Sequence, residues 1–190
     1  MFLVIGALVG GTSSALPVDG RLDADARWIS GSTLSALVID AGGEPRGAIV
    51  LIVAIAGLCS IVGRWRLAVL TIIGQALVGG AATVAKPLFD RTIHEVYLSY
   101  PSGHAAGATA FGLVLGLLAV DVLGMRRGPA TVVVIGSGIG IGLVAAWAQT
   151  VLLAHYATDT VGGLAMSLAV IPVAARGIDV AFDRLLVGAA

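Results

Sequence analysis

Long apolar segments dominate this sequence and limit what it can fold into. The segments that we predict to span a membrane lie at roughly 2–17, 47–63, 65–85, 103–124, 130–152 and 155–175. A helix needs about 20 mostly apolar residues to cross a bilayer, and the mean hydropathy of +1.02 excludes an ordinary soluble domain. The first segment is short and is interrupted by Gly10-Gly11-Thr12-Ser13-Ser14. A cleaved signal peptide is its alternative, although no lysine or arginine precedes the apolar stretch, as a signal would require.

Residues 18–46 break the apolar pattern. They mix charged residues with an apolar stretch around Trp28. That mixture is typical of an amphipathic helix in the membrane interface, with Trp28 at headgroup level. We therefore expect an all-α integral membrane protein, a six-transmembrane-helix bundle with an interfacial amphipathic helix between the first and second spans. Residues 1–190 would form a single membrane-embedded domain.

Arginines predict the orientation of this bundle. They occur between the second and third spans, between the fourth and fifth, and after the sixth: Arg64 and Arg66, Arg126 and Arg127, Arg176 and Arg184. With six spans these places share one face, which the positive-inside rule makes cytoplasmic. The connection 86–102 and the turn near 153–156 then lie together on the other face. We expect a multi-pass protein of the plasma (cytoplasmic) membrane with its active site on the extracytoplasmic face.

Glycines four residues apart predict close helix contacts in lipid. The pairs within predicted spans are Gly6 and Gly10, Gly112 and Gly116, Gly136 and Gly140. The run 136–142 lacks the spacing of a nucleotide-binding loop and the strand that precedes one, so helix packing explains these glycines better.

A histidine and an aspartate lie at the mouth of the sixth span. His155 and Asp159 are four residues apart, which would place them on one face of a helix. A carboxylate that binds one imidazole nitrogen fixes the tautomer and leaves the other nitrogen free as a nucleophile or base. The alternative is a histidine that packs at a helix start beside its own carboxylate partner.

The run Pro101-Ser102-Gly103-His104 predicts the start of the fourth span. Ser102 is a natural N-cap, and the free amides of a helix N-terminus bind anions such as phosphate. His104 lies beside this predicted anion site, where it could protonate a leaving oxygen. A plain helix start with an interfacial histidine is the alternative.

Cations follow the third span. Lys86, the only lysine of the chain, and Arg91 lie near its end. Positive groups that hold phosphoryl oxygens are the main need of phosphoryl transfer. Lysine and arginine at span ends also extend to the membrane interface for structural reasons, and Asp90 could simply neutralise Arg91.

Together these motifs resemble the membrane branch of the type 2 phosphatidic acid phosphatase family. That family carries Lys, six residues and Arg-Pro, then Pro-Ser-Gly-His, then Ser-Arg, five residues, His, three residues and Asp. Here the second motif is intact, the third retains His155 and Asp159, and the first retains Lys86. The resemblance covers most of the chain.

The resemblance implies a phosphatase that needs no metal ion or other cofactor. His155 would attack phosphorus and form a phosphohistidine, and Asp159 would orient it. His104 would protonate the leaving oxygen and then serve as base when water hydrolyses the phosphohistidine. Lys86 and amides at the start of the fourth span would hold the phosphate.

Two arginines of the family pattern are missing. Ile93 and His94 stand where the family has Arg-Pro, and Ala148 and Gln149 stand where it has Ser-Arg. Glutamine can donate a hydrogen bond but lacks the charge and the bidentate fork of arginine. Either Arg91 replaces part of this phosphate contact, or phosphate binding is weak, or the substrate differs from the usual one. The candidate phosphate-binding residues are Lys86, Arg91, Ser102, Gly103 and Gln149.

We expect an enzyme that removes phosphate from a polyprenyl or other lipid phosphate, diphosphate or phosphosugar, as in cell-wall synthesis. Because Gln149 carries no charge, we expect a head group that offers polar contacts beyond one phosphate. The alternative is a catalytically impaired member of the family that binds lipid phosphate or serves as a scaffold or transport subunit. The expected partners are the substrate and membrane lipids. A net charge of zero without a basic patch argues against nucleic acid, and a homo-oligomer stays open.

Overall fold

The computed structural model describes residues 1–29 and 33–188. Within these ranges the chain is almost entirely helical. Its helices are α1 Phe2–Val9, α2 Pro17–Ile29, α3 Thr33–Gly43, α4 Pro45–Ile61, α5 Trp65–Phe89, α6 Gly103–Val122, α7 Arg127–Val151 and α8 Ala157–Gly188.

Four of these helices, α5 to α8, are long and apolar enough to cross a membrane. They coincide with the last four predicted spans, and they make the chain a multi-pass membrane protein. Helix α6 lies at the centre, where it packs against α5, α7 and α8. The main apolar core forms among α4, α5, α6 and α8, around side chains such as Val78, Phe111 and Ile171.

The predicted span 2–17 is wrong in its extent. Helix α1 ends at Val9, so at about 1.5 Å per residue it covers only about 12 Å of the roughly 30 Å apolar core of a bilayer. The chain leaves the helix at Gly10, and Gly11 adopts a positive φ of 68°, which suits glycine and stops helix propagation. Helix α1 instead contacts the ends of α5 and α8.

An aromatic cluster holds α1 in place. Phe2, Phe89 and Tyr100 have ring centroids 5.0–5.8 Å apart. Burial raises the pKa of Tyr100, so its hydroxyl stays protonated and donates a hydrogen bond to the carbonyl of Phe2 at 2.5 Å. One face of α1 therefore packs against this end of the bundle.

Within 18–46, the described residues include α2, α3 and the start of α4, rather than the single amphipathic helix that we predicted. The side chain of Trp28, our predicted interfacial anchor, lies outside the described part. Helix α3 meets α4 at a bend of 69°, and together the two are apolar and long enough for a broken span or a re-entrant loop. Pro45 begins α4, and its fixed φ is suited to a first helical position. The predicted second span, 47–63, therefore corresponds to α4 alone, and α4 reaches the length of a span only together with the bent helix before it.

The connection between α5 and α6 contains a short hairpin that the all-α prediction missed. Strand β1, Thr92–Ile93, pairs antiparallel with β2, Tyr97–Leu98. His94 and Glu95 in its turn both have positive φ. The Nε2 atom of His94 lies 3.0 Å from the carbonyl oxygen of Leu153, so the hairpin rests on the turn before α8.

Glycines allow α6 and α7 to approach closely, but only half of the predicted register is correct. A Cβ at Gly112 would lie 2.4 Å from the carbonyl oxygen of Ser137, and one at Gly116 would lie 2.8 Å from Val134. On α7, Gly136 and Gly140 face open space. The contacts to α6 come from Gly138 and Gly142, which are two residues out of the predicted register.

Ion pairs close the end of the bundle opposite to the hairpin. Arg64 contacts Asp121, and Arg66 lies 3.2 Å from Asp179 and 2.5 Å from Asp183. These contacts bring together the start of α5, the end of α6 and the second half of α8. The three predicted arginine-bearing places therefore belong to one end of the bundle, and the histidine motifs belong to the other.

The α6–α7 contact generates a test of this packing. Gly112→Ala should destabilise the protein by about 1–3 kcal/mol, because the added methyl group overlaps backbone that cannot move aside. Gly140→Ala adds the same methyl group where nothing lies within 4 Å and should leave stability unchanged or slightly raised. Thermal unfolding in detergent compares the two, and equal melting temperatures would contradict the described helix contact.

Candidate active site

A cleft of about 970 Å³ opens among α3, α4, α5, α6 and α7. Most of its wall is apolar, with side chains such as Ile52, Val78 and Phe111. Lining residues on α5 extend from Ile72 to Lys86, which corresponds to about 21 Å at 1.5 Å per residue. The cleft is thus long enough to hold a substantial part of an extended hydrocarbon chain.

One end of the cleft is polar. Its wall there contains Lys86, Gly103, His104 and Gln149, which are four of the predicted site residues, together with Asp40. Lys86 comes from the last turn of α5, Gly103 and His104 from the first turn of α6, and Gln149 from the last turn of α7. The prediction that separate motifs meet at one end of the bundle is confirmed.

His155 and Asp159 form a buried pair next to this end. Nδ1 of His155 lies 3.7 Å from Oδ2 of Asp159, which is longer than a hydrogen bond. His155 lies in the turn before α8, and its side chain is 9% exposed. The ring of His104 lies within electrostatic range of both His155 and Lys86.

Arg91 lies behind this pair and is fully buried. Its two terminal nitrogens donate to Asp159 Oδ1 at 2.7 Å, to Thr158 Oγ1 at 2.6 Å and to Asp19 Oδ2 at 2.9 Å. The guanidinium also stacks on the ring of Tyr156, 4.4 Å from its centroid. Both carboxylates are completely shielded from solvent.

This placement contradicts the predicted role of Arg91 as a phosphate ligand. The guanidinium is enclosed and its terminal nitrogens already bind two carboxylates, so no phosphate in the cleft can reach it. Asp19, which sequence reasoning missed, is the reason. It lies on α2 and is 72 positions away from Arg91 in the sequence. No local sequence pattern predicts an ion pair over that separation.

Ser102 has a structural role rather than the predicted phosphate contact. Its backbone amide donates to the carbonyl of Asp159 at 3.0 Å, and its hydroxyl accepts from the amide of Ala105 at 3.4 Å. The predicted N-cap of α6 is thus confirmed. Within the described part of the chain, the amides of Gly103 and His104 have no acceptor, so they are the helix donors left for an anion.

Gln149 faces the cleft as predicted, but one of its donors is already engaged. Its Nε2 donates to Oδ1 of Asp40 at 2.6 Å. The same carboxylate oxygen lies 3.3 Å from Nε2 of His104, and Glu44 approaches that nitrogen to 3.8 Å. Three potential metal-ligand atoms also lie within 4.8 Å of one another here, one each from Asp40, Glu44 and His104. Such a group could bind a divalent cation. Asp40 is the second site residue that sequence reasoning missed.

Comparison with known proteins is decisive for the family. The sequence pattern of the PAP2 superfamily matches residues 65–182. The chain belongs to the PAP2 superfamily. The resemblance to type 2 phosphatidic acid phosphatases is confirmed by a match that includes all three motifs. No curated protein matches this PAP2 sequence.

A solved structure shares the fold of this PAP2 chain. It is the crystal structure of a transmembrane PAP2 type phosphatidylglycerolphosphate phosphatase from Bacillus subtilis. The two superpose with a TM-score of 0.71 over 94% of this chain and 92% of the other, at 24% identity. The family match and this shared fold support a membrane-embedded phosphatase.

The buried network around Arg91 generates a stability prediction. Arg91→Ala should destabilise the protein by about 3–5 kcal/mol, because it leaves two buried carboxylates without a cation. Arg21→Ala removes an exposed arginine of α2 and should change little. Thermal unfolding in detergent measures both. A stable Arg91→Ala protein with a raised KM for phosphate substrates would instead restore the phosphate-binding role.

Proposed function

We propose that this protein is a lipid phosphatase that acts on a polyprenyl or other lipid phosphate, diphosphate or phosphosugar. The observation that carries the proposal is the cleft, in which Lys86, His104 and the free amides at the start of α6 stand at one end of a long apolar wall. Such a shape suits a substrate with a phosphate head and a hydrocarbon tail. The arginines at the opposite end of the bundle support an extracytoplasmic site, by the positive-inside rule.

The proposed reaction begins at His155. Its Nδ1 faces Asp159, which leaves Nε2 to attack phosphorus as the bond from phosphorus to the lipid oxygen breaks. His104 donates a proton to that leaving oxygen. Water then attacks the phosphohistidine and transfers a proton to His104, which releases inorganic phosphate and restores His155.

Phosphate binding in this scheme rests on few groups. Among the described residues that line the cleft, Lys86 is the single lysine or arginine, and the amides of Gly103 and His104 complete the contact. This observation also favours the second candidate, a family member that binds lipid phosphate without turnover. Phosphate release from a panel of lipid phosphates, diphosphates and phosphosugars, with and without chelator, separates the two candidates.

The nucleophile gives the first test of catalysis. His155→Ala should abolish phosphate release and leave a folded, monodisperse protein in detergent, because among the described residues this ring makes no hydrogen bond that the fold would lose. His94→Ala is the matched control, since it removes an exposed histidine that contacts the turn before α8 but takes no part in the proposed reaction, and it should keep most of the turnover. Full activity of the His155→Ala protein would contradict the phosphohistidine mechanism.

The cleft gives a test of the lipid tail. Gly79 lines the cleft and Gly80 does not, and a Cβ at either position would meet nothing within 4 Å. Gly79→Leu should lower kcat/KM for long-chain substrates by about tenfold, which corresponds to about two displaced methylene groups, and should spare short-chain substrates. Gly80→Leu should be silent. The cleft would be excluded as the site of the lipid tail if Gly79→Leu and Gly80→Leu lowered kcat/KM equally. It would also be excluded if Gly79→Leu lowered kcat/KM equally for long-chain and short-chain substrates.

A further inference from the structure

One carboxylate at the polar end of the cleft has no part in the reaction described above. Asp40 lies near the end of α3 and contacts two predicted site residues from other helices, Gln149 on α7 and His104 on α6. Its Oδ1 accepts a hydrogen bond of 2.6 Å from Gln149. Hydrogen bonds to a carboxylate are short and strong, so this bond fixes where the Asp40 carboxylate stands.

The ring of His104 turns its Cδ2–Nε2 edge toward this carboxylate. A Cβ at Gly43 would lie 2.1 Å from Cδ2 of His104, so the last residue of α3 packs directly on the Cδ2–Nε2 edge. Nε2 lies 3.3 Å from Asp40 Oδ1. This nitrogen is shielded from solvent and, in the described part of the chain, has no aligned hydrogen-bond partner. A small rotation of the ring would direct Nε2–H at Asp40.

We propose that Asp40 is the positioning residue of His104. Its carboxylate accepts Nε2–H and thereby leaves Nδ1 as the ring nitrogen that exchanges a proton with the substrate. A base held by a third group at its other nitrogen is a general arrangement in nucleophilic catalysis. Gln149, at the position of a missing family arginine, secures the carboxylate. The catalytic consequence of this contact rests on the proposed function, whereas the contact between Nε2–H and Asp40 does not depend on it.

The ring tautomer provides a test that needs no activity. The chain has three histidines, so histidine labelled with nitrogen-15 in the ring gives few signals, and His104→Ala assigns the relevant one. In the chelator-treated wild-type protein, at a pH where the ring is neutral, we expect the Nε2–H tautomer of His104 to dominate. Asp40→Ala should lower the ratio of Nε2–H to Nδ1–H by about tenfold, as expected for the loss of a hydrogen bond to a charged group. Asp25→Ala, which removes an exposed carboxylate of α2, should leave the ratio unchanged.

The reaction provides the second test. Proton donation matters most when the leaving alcohol is a poor leaving group, so the rate should be compared over a series of phosphate monoesters from alkyl to nitrophenyl. For Asp40→Ala we expect a loss of about 10-fold to 100-fold on alkyl esters, within the range of general acid catalysis, and little loss on the nitrophenyl ester. His104→Ala should show the same dependence more strongly. If Asp40→Ala does not fold, Asp40→Asn preserves the shape, removes the charge, and should change both readouts in the same direction.

The outcomes are distinguishable. An unchanged tautomer ratio, or an equal loss on every ester, would overturn the role of Asp40. A wild-type protein that releases no phosphate from any substrate would refute the proposed function, and the tautomer ratio would still decide whether Asp40 holds His104.

Discussion

The guanidinium of Arg91, enclosed between the carboxylates of Asp19 and Asp159, is the interaction on which the polar end of this bundle depends. A buried ion is costly unless charged partners and hydrogen bonds surround it, and here all three charges are shielded from solvent. The network ties α2, the segment after α5 and the start of α8 into one unit. Because Asp159 is held by Arg91 on one side, its other oxygen faces His155 in a fixed position.

This use of Arg91 changes the electrostatics of the phosphate site. Because two family arginines are missing from the sequence, Arg91 is the obvious replacement. In the structure, however, the guanidinium of Arg91 is paired with two buried carboxylates. Gln149 likewise donates to Asp40. In the proposed function, phosphate recognition is left to Lys86 and to the amides of Gly103 and His104, and the long apolar cleft would contribute much of the affinity for a lipid substrate. Ion pairs hold the polar end of the bundle together, and in the proposed function apolar contact would select the substrate.

Predictions from the sequence succeeded where short-range rules apply. Ser102 caps α6 because serine side chains satisfy free amides at a helix start, and α5 to α8 were found from length and hydropathy alone. The failures also have local causes. Two adjacent glycines and a positive φ at Gly11 end α1 after Val9, whereas hydropathy averages over such breaks. On α7, the sequence contains two interleaved sets of glycines, and only packing against α6 selects Gly138 and Gly142.

By itself, the sequence determined that the chain is a helical membrane protein with a histidine motif at each of two helix starts, and that these motifs meet at one end. Apolar length, capping residues and the alternation of spans suffice for that, since each acts within one helix or one connection. Only the tertiary structure decided which charges pair. Asp19 pairs with Arg91 over 72 positions of sequence, and Asp40 accepts a hydrogen bond from Gln149 over 109. Such contacts cannot be read from the sequence, because they depend on the angle and rotation at which separate helices pack. Those two pairings set which residues remain available for the substrate.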